Sequence, residues 1–182
     1  MAPKNIILLL LILLIVSTMS KNVQSEPMSK YKKSISIKLN TDIFGLLNLL
    51  KDELPLTRQK IANSGFDLSN VNKYEWHDEY IAPKIMLMDG AILNYAKLIT
   101  MNIEGGIDIF FIFRIKNKMI TRQELESQLG TFVVSYGDGL VNNAVITYQR
   151  KIGESYIFAT YTSEPPNILL NVSFSSIEPL EQ

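Results

Sequence analysis

The sequence predicts an α+β domain: a mostly antiparallel β-sheet of about seven to eight strands, covered by two or three short helices and preceded by a signal peptide. Three observations lead there. An eleven-residue apolar run, Ile6–Val16, opens the chain. Two segments in the first half, and one near residue 121, carry helical spacing or helix-start residues. From Asn72 onward, period-two alternation broken by short turns dominates, and strands joined by short turns pair antiparallel.

Lys4 and the amino terminus give the leading run a positive flank. The run is too short to cross a bilayer, which needs about 20 residues, and has the length of a signal-peptide core. Small residues at Thr18/Ser20 and Val23/Ser25 offer two cleavage sites, and Pro27 lies just after the second. The competing reading is an uncleaved inner-membrane anchor over residues 6–19. The division expected is a signal peptide over 1–25, a flexible lead-in over 26–33, one domain over 34–176 and a tail over 177–182. Removing residues 1–25 takes away Lys4 and Lys21 and leaves the mature chain mildly acidic.

Residues 34–40 alternate through Ile35, Ile37 and Leu39 and predict a strand. Asn40 or Thr41 is the expected cap of a helix over 42–53, whose stripe is Ile43, Leu46, Leu47, Leu50 and Leu54. Pro55 ends it. A shorter helix runs from Thr57 to near Gly65. Strands are expected over 73–77, 84–88 and 92–103, the last with Leu93, Tyr95, Ile99, Met101 and Ile103 on one face. Gly105-Gly106 turns the chain into a strand over 107–116 that is apolar on both faces and therefore central. Thr121 and Glu124 form a capping box for a helix ending at Gly130. A meander over 131–136, 144–151, 155–162 and 168–175 completes the sheet. Leu56–Ile61 and Ile120–Leu125 echo one another around Thr-Arg-Gln, which two ordinary helix starts explain.

Composition excludes several kinds of chemistry. With no cysteine and a single histidine, the chain has no disulfide scaffold, thiolate zinc site or cysteine nucleophile. Its 18 basic residues balance 18 acidic ones, which argues against nucleic-acid binding. No Gly-x-Ser-x-Gly elbow or phosphate-binding glycine loop is present, and Ser29–Lys32 matches Ser-x-x-Lys only in the lead-in. Leu56–Val71 imitates a helix-turn-helix, but its second half lacks a basic recognition helix. Asn171-Val172-Ser173 is a glycosylation triplet placed inside a strand. No metal and no cofactor is expected.

Two groups of residues are candidate sites. Glu75, His77, Asp78 and Glu79 surround the only tryptophan, Trp76. On a strand, Glu75, His77 and Glu79 would share one side, with Trp76 packed inward. Such a cluster suits a small ligand, a sugar or a His–carboxylate acid–base pair. Tyr148, Arg150, Tyr156 and Tyr161 lie on neighbouring strands, and tyrosine and arginine are enriched where proteins dock. The Gly137–Asn143 loop is read as a turn. The expected function is an exported, non-enzymatic protein-binding module, periplasmic or secreted, such as an inhibitor, an immunity-type protein or an accessory subunit of a bacterial envelope complex. Its partner would be a protein, such as a toxin or an envelope enzyme, and the membrane would enter only through the N-terminal segment if that is uncleaved. The alternative is an exported hydrolase or ligand-binding protein built on Glu75, His77 and Asp78.

Overall fold

A computed structural model describes residues 37–104, 106–137, 145–164 and 167–179. The expected signal peptide over 1–25 and lead-in over 26–33, the Asp138–Asn143 part of the polar loop and residues 180–182 lie outside the described residues. In chain order the elements are β1 (Ile37–Lys38), α1 (Ile43–Asp52), α2 (Arg58–Asn63), β2 (Val71–Lys73), β3 (Asp78–Ile81), β4 (Ile85–Met86), β5 (Ile92–Ile103), β6 (Gly106–Lys116), α3 (Arg122–Leu129), β7 (Val133–Gly137), β8 (Val145–Ile152), β9 (Ser155–Thr162) and β10 (Leu169–Pro179). All belong to one unit, Ser34–Gln182. The fold is α+β and rich in sheet, as the alternation predicts.

Helix starts follow side-chain chemistry. Asp42, not Asn40 or Thr41, caps α1, accepting a hydrogen bond from the Gly45 amide at 2.6 Å. The stripe begins at Ile43, so the residue before it must hold the first free amides. Asp89 takes another, from Ile43, and itself pairs with Lys118. Thr57 caps α2, and Thr121 with Glu124 forms the expected capping box on α3. After α2 the chain continues as a loop, so no second helix of a DNA-reading pair exists there.

The sheet has ten strands among the described residues, more than the seven to eight expected. Its path is β1-β4-β5-β6-β10-β9-β8-β7, and β3 also pairs with β5, carrying β2 outside it. Every pairing is antiparallel except β1 with β4, which a long helical crossover separates in sequence. The strand expected at 73–77 is instead two short ones: β2 ends at Lys73 and β3 starts at Asp78, with a turn over 74–77. The final strand runs to Pro179, so the first residues of the expected tail pair with β6.

One face of the sheet carries the core. Leu93, Leu98, Phe111, Phe113, Ile157, Val172 and Phe174 pack with Leu46, Leu47 and Leu50 of α1, Ile61 of α2 and Leu125 and Leu129 of α3. Phe66, just after α2, meets the Phe111 ring edge-on at 4.8 Å. The Leu56 amide donates to Ser176 Oγ, and Ser176 in turn bonds Ser155, so the linker between helices is tied to β9 and β10. On the opposite face, Ile99, Ile112 and Phe158 are also buried, outside that core. Among the described residues no helix is long and apolar enough to cross a membrane.

Candidate contact site

The β2–β3 hairpin carries the polar cluster at its tip. The Tyr74 amide donates to the His77 carbonyl at 2.9 Å and closes the turn. Trp76 therefore sits in a turn, not on a strand, and its side chain is 75% exposed rather than packed in the core. Tyr74 is 52% exposed, and its ring stacks on His77 with centroids 4.7 Å apart and planes at 12°. The turn also breaks the alternation that would have put Glu75, His77 and Glu79 on one side.

Only part of that group comes together. His77 Nε2 lies 3.7 Å from Glu79 Oε1, and Lys97 Nζ of β5 lies 3.0 Å from the same oxygen. Asp78 instead faces the Tyr80 hydroxyl at 3.5 Å, and the Arg58 guanidinium lies over the Tyr80 ring at 4.3 Å. Glu75 is exposed and has no hydrogen-bond or ion-pair partner among the described residues. No three metal-ligating side chains are grouped among the described residues. β3 holds the hairpin against the body through the pairings of Asp78 with Thr100 to Ile81 with Lys97.

The tyrosines do not share a surface. Ile146 pairs with Tyr161 and Tyr148 with Ala159, so Tyr148 and Tyr161 both face the helices. Their rings meet edge-on at 5.9 Å. Tyr161 is 1% exposed and presents nothing to a partner, which corrects the expectation placed on it. Tyr156 points the other way, stacked on Phe158 at 6.0 Å with Lys151 over its ring. Arg150 is on the helix side, its guanidinium lying over Gly130. Residues five apart on one strand, such as Tyr156 and Tyr161, point to opposite faces, so their spacing already forbade a common patch.

Sequence reasoning missed Arg122, which organises the ground around Tyr148. Its guanidinium binds Glu126 at 2.8 Å, donates to the Phe132 carbonyl at 3.0 Å and lies 4.2 Å over the Tyr148 ring. The four-residue spacing of Arg122 and Glu126 was the available signal. The hydrogen bond to Glu126 raises the Arg122 pKa further and keeps it charged. Burial works to raise Glu126, but the Phe132 amide and Arg122 outweigh it and hold the carboxyl below its ordinary value. Burial pushes the Tyr161 phenol well above the usual tyrosine range. An open depression of about 300 Å³ beside this cluster is lined by Met119, Ile120, Thr121, Arg122, Gln123 and Asn167, none of them from the hairpin.

Comparison with protein-family models, with curated proteins and with solved structures finds no match for this chain.

Proposed function

We propose that this protein is exported and acts without catalysis, by binding a protein partner through the tip of the β2–β3 hairpin. An inhibitor, an immunity-type protein or an accessory subunit of a bacterial envelope complex works in this way. The leading apolar run and the absence of cysteine support the compartment. The observation that carries the reading is Trp76, three-quarters exposed beside an ordered Tyr74–His77 stack. A large aromatic held in water gains most when a partner covers it, and tryptophan and tyrosine dominate the energetics of such contacts. The competing reading, a hydrolase or sugar-binding protein, needs Glu75, His77 and Asp78 to act together, whereas the contact His77 makes is with Glu79.

Site-specific photocrosslinking in the living producer cell tests this. A crosslinker at position 76 is expected to give one discrete protein adduct in the envelope fraction, and one at position 88, whose methionine is 69% exposed, none. Once the partner is purified, Trp76→Ala is expected to weaken binding by about 2–4 kcal/mol, roughly 30- to 1000-fold. Equal adducts at both positions, or affinity unchanged by Trp76→Ala, would overturn the reading. Mass spectrometry of the same fraction checks export, since the mature mass must begin at Lys21 or Glu26.

A further inference from the structure

The two ends of the sheet are protected very differently. At one end the outer strands are short and carry lysines: β1 is two residues with Lys38, and β2 three residues with Lys73. At the other end stands β7, which pairs only with β8 among the described residues. Gly130–Gly137 contains no charged residue and no proline. Val133 lies opposite Gln149 and Val134 opposite Tyr148, so they point to opposite faces, yet they are 60% and 63% exposed. An outer strand with apolar, uncovered residues on both faces has the pattern of a central strand lacking a neighbour. Its one guard among the described residues is a bulge between Val134 and Tyr136.

A cation stands at the start of this edge. Arg150 of β8 reaches over Gly130, and a Cβ there would lie only 2.0 Å from its Nη1, so the glycine makes room for it. Arg122 and Lys151 are matched by Glu126 and Glu154, whereas Arg150 has no ion-pair partner among the described residues.

We propose that the open edge of β7, with Arg150 at its start, receives an extended segment of a partner protein that is apolar along its middle and carries an acidic side chain at the end beside Gly130. The added strand would take up free backbone groups of β7, cover Val133 and Val134, and give Arg150 its counter-charge. A second copy of this chain is the competing occupant, because Asp138 directly follows Gly137 in sequence, and self-association in the test below separates the two. The site is separate from the hairpin and does not depend on it.

Two capped hexapeptides alternating threonine and valine, one ending in glutamate and one in lysine, serve as probes against the mature protein. Amide exchange and chemical shifts from NMR are the readout. The glutamate peptide is expected to slow exchange at Val133–Ser135 and leave Val71–Lys73 unchanged, and to bind about fivefold more tightly than the lysine peptide. Arg150→Gln should abolish that preference and Arg150→Lys retain most of it, while Trp76→Ala changes neither. The spectrum of each variant shows whether it is folded. No peptide-dependent protection at Val133–Ser135, a preference that survives Arg150→Gln, or concentration-dependent self-association that the peptide displaces would each overturn the proposal.

Discussion

Replacing Tyr161 with phenylalanine should make this protein more stable. Tyr161 sits on the helix-covered face near the end of β9, 1% exposed, between Ile146 and Leu169 on the neighbouring strands. Its hydroxyl is enclosed and has no hydrogen-bond partner among the described residues. In the unfolded chain that group bonds water, so folding forfeits the bond. The cost of such an unsatisfied hydroxyl is about 1–3 kcal/mol. Phenylalanine removes the cost and keeps the ring that packs against Tyr148. A void of one oxygen gives back a small part of the gain. The net expectation is a stabilisation of about 1 kcal/mol, which raises Tm by about 2–4 °C in a chain of this size. Urea unfolding monitored by circular dichroism measures it, with an unchanged slope confirming that the unfolded state is unaltered. The pH dependence is a second arm. Burial raises the folded-state pKa of the phenol, so the folded protein prefers the neutral form. Stability from this group is intact below the ordinary tyrosine value of about 10 and is lost as pH climbs from there toward the folded-state value. Tyr161→Phe should lack that alkaline loss. A variant destabilised by 1 kcal/mol or more would refute the reasoning, because it would mean that a trapped water satisfies the hydroxyl.

Three further substitutions test other parts of the fold. Thr121→Ala removes the side chain that receives the Glu124 amide in the α3 capping box and should cost about 1 kcal/mol in urea unfolding. Asp108, on the sheet face away from the helices, has its pKa raised by burial, against a smaller opposing effect of the Ile109 amide. Its folded form therefore favours the neutral carboxyl, so stability is regained as pH falls through its folded-state pKa toward about 3.9, and Asp108→Asn should stabilise the protein at neutral pH, as measured by denaturation at pH 7 and pH 4. Gly130→Ala forces a side chain onto a residue at φ 83° and should cost about 1–2 kcal/mol. Repeating it in an Arg150→Ala background separates backbone strain, which persists, from the clash with a flexible side chain, which disappears.

The sequence showed where regular alternation lay and where helices begin, because those signals are local. Thr57 and Thr121 cap their helices, and the echo between these segments extends to a shared use of the following arginine, Arg58 over Tyr80 and Arg122 over Tyr148. What stayed hidden was phase. A bulge adds one residue to a strand and reverses its faces beyond that point, without any mark in residue type. The bulge in β10 between Leu169 and Asn171 leaves Ile168 exposed, although the unbroken alternation through Phe174 would bury it. The turn at the hairpin tip was equally silent, since Tyr74–His77 contains no glycine, proline or asparagine. Reading that stretch as strand sent Trp76 inward and made Glu75 a neighbour of His77, and both assignments reversed together.

The bulge in β5 explains how the hairpin comes to be presented at all. Ile92 and Leu93 pair outward with β4, whereas Lys97 to Thr100 pair with β3, so two strands share one edge of β5. Between them the register shifts, and Tyr95 adopts φ 53° with its ring exposed and Arg114 above it. The consequence is that Leu93 and Leu98, five residues apart, both face the helices, which a regular strand forbids. Lys97 is thereby placed on the opposite face, where it meets Glu79, and Glu79 meets His77 beneath the Tyr74 ring. One inserted residue thus links the packing of the core to the order of the tip. A left-handed tyrosine costs on the order of 1–2 kcal/mol. Burial of Leu93 and Leu98 on the same face offsets it, at about 1.5–3 kcal/mol each. A tip ordered in advance by backbone pairing, stacking and an ion pair loses less conformational entropy on docking than a free loop would, and that difference appears directly as affinity.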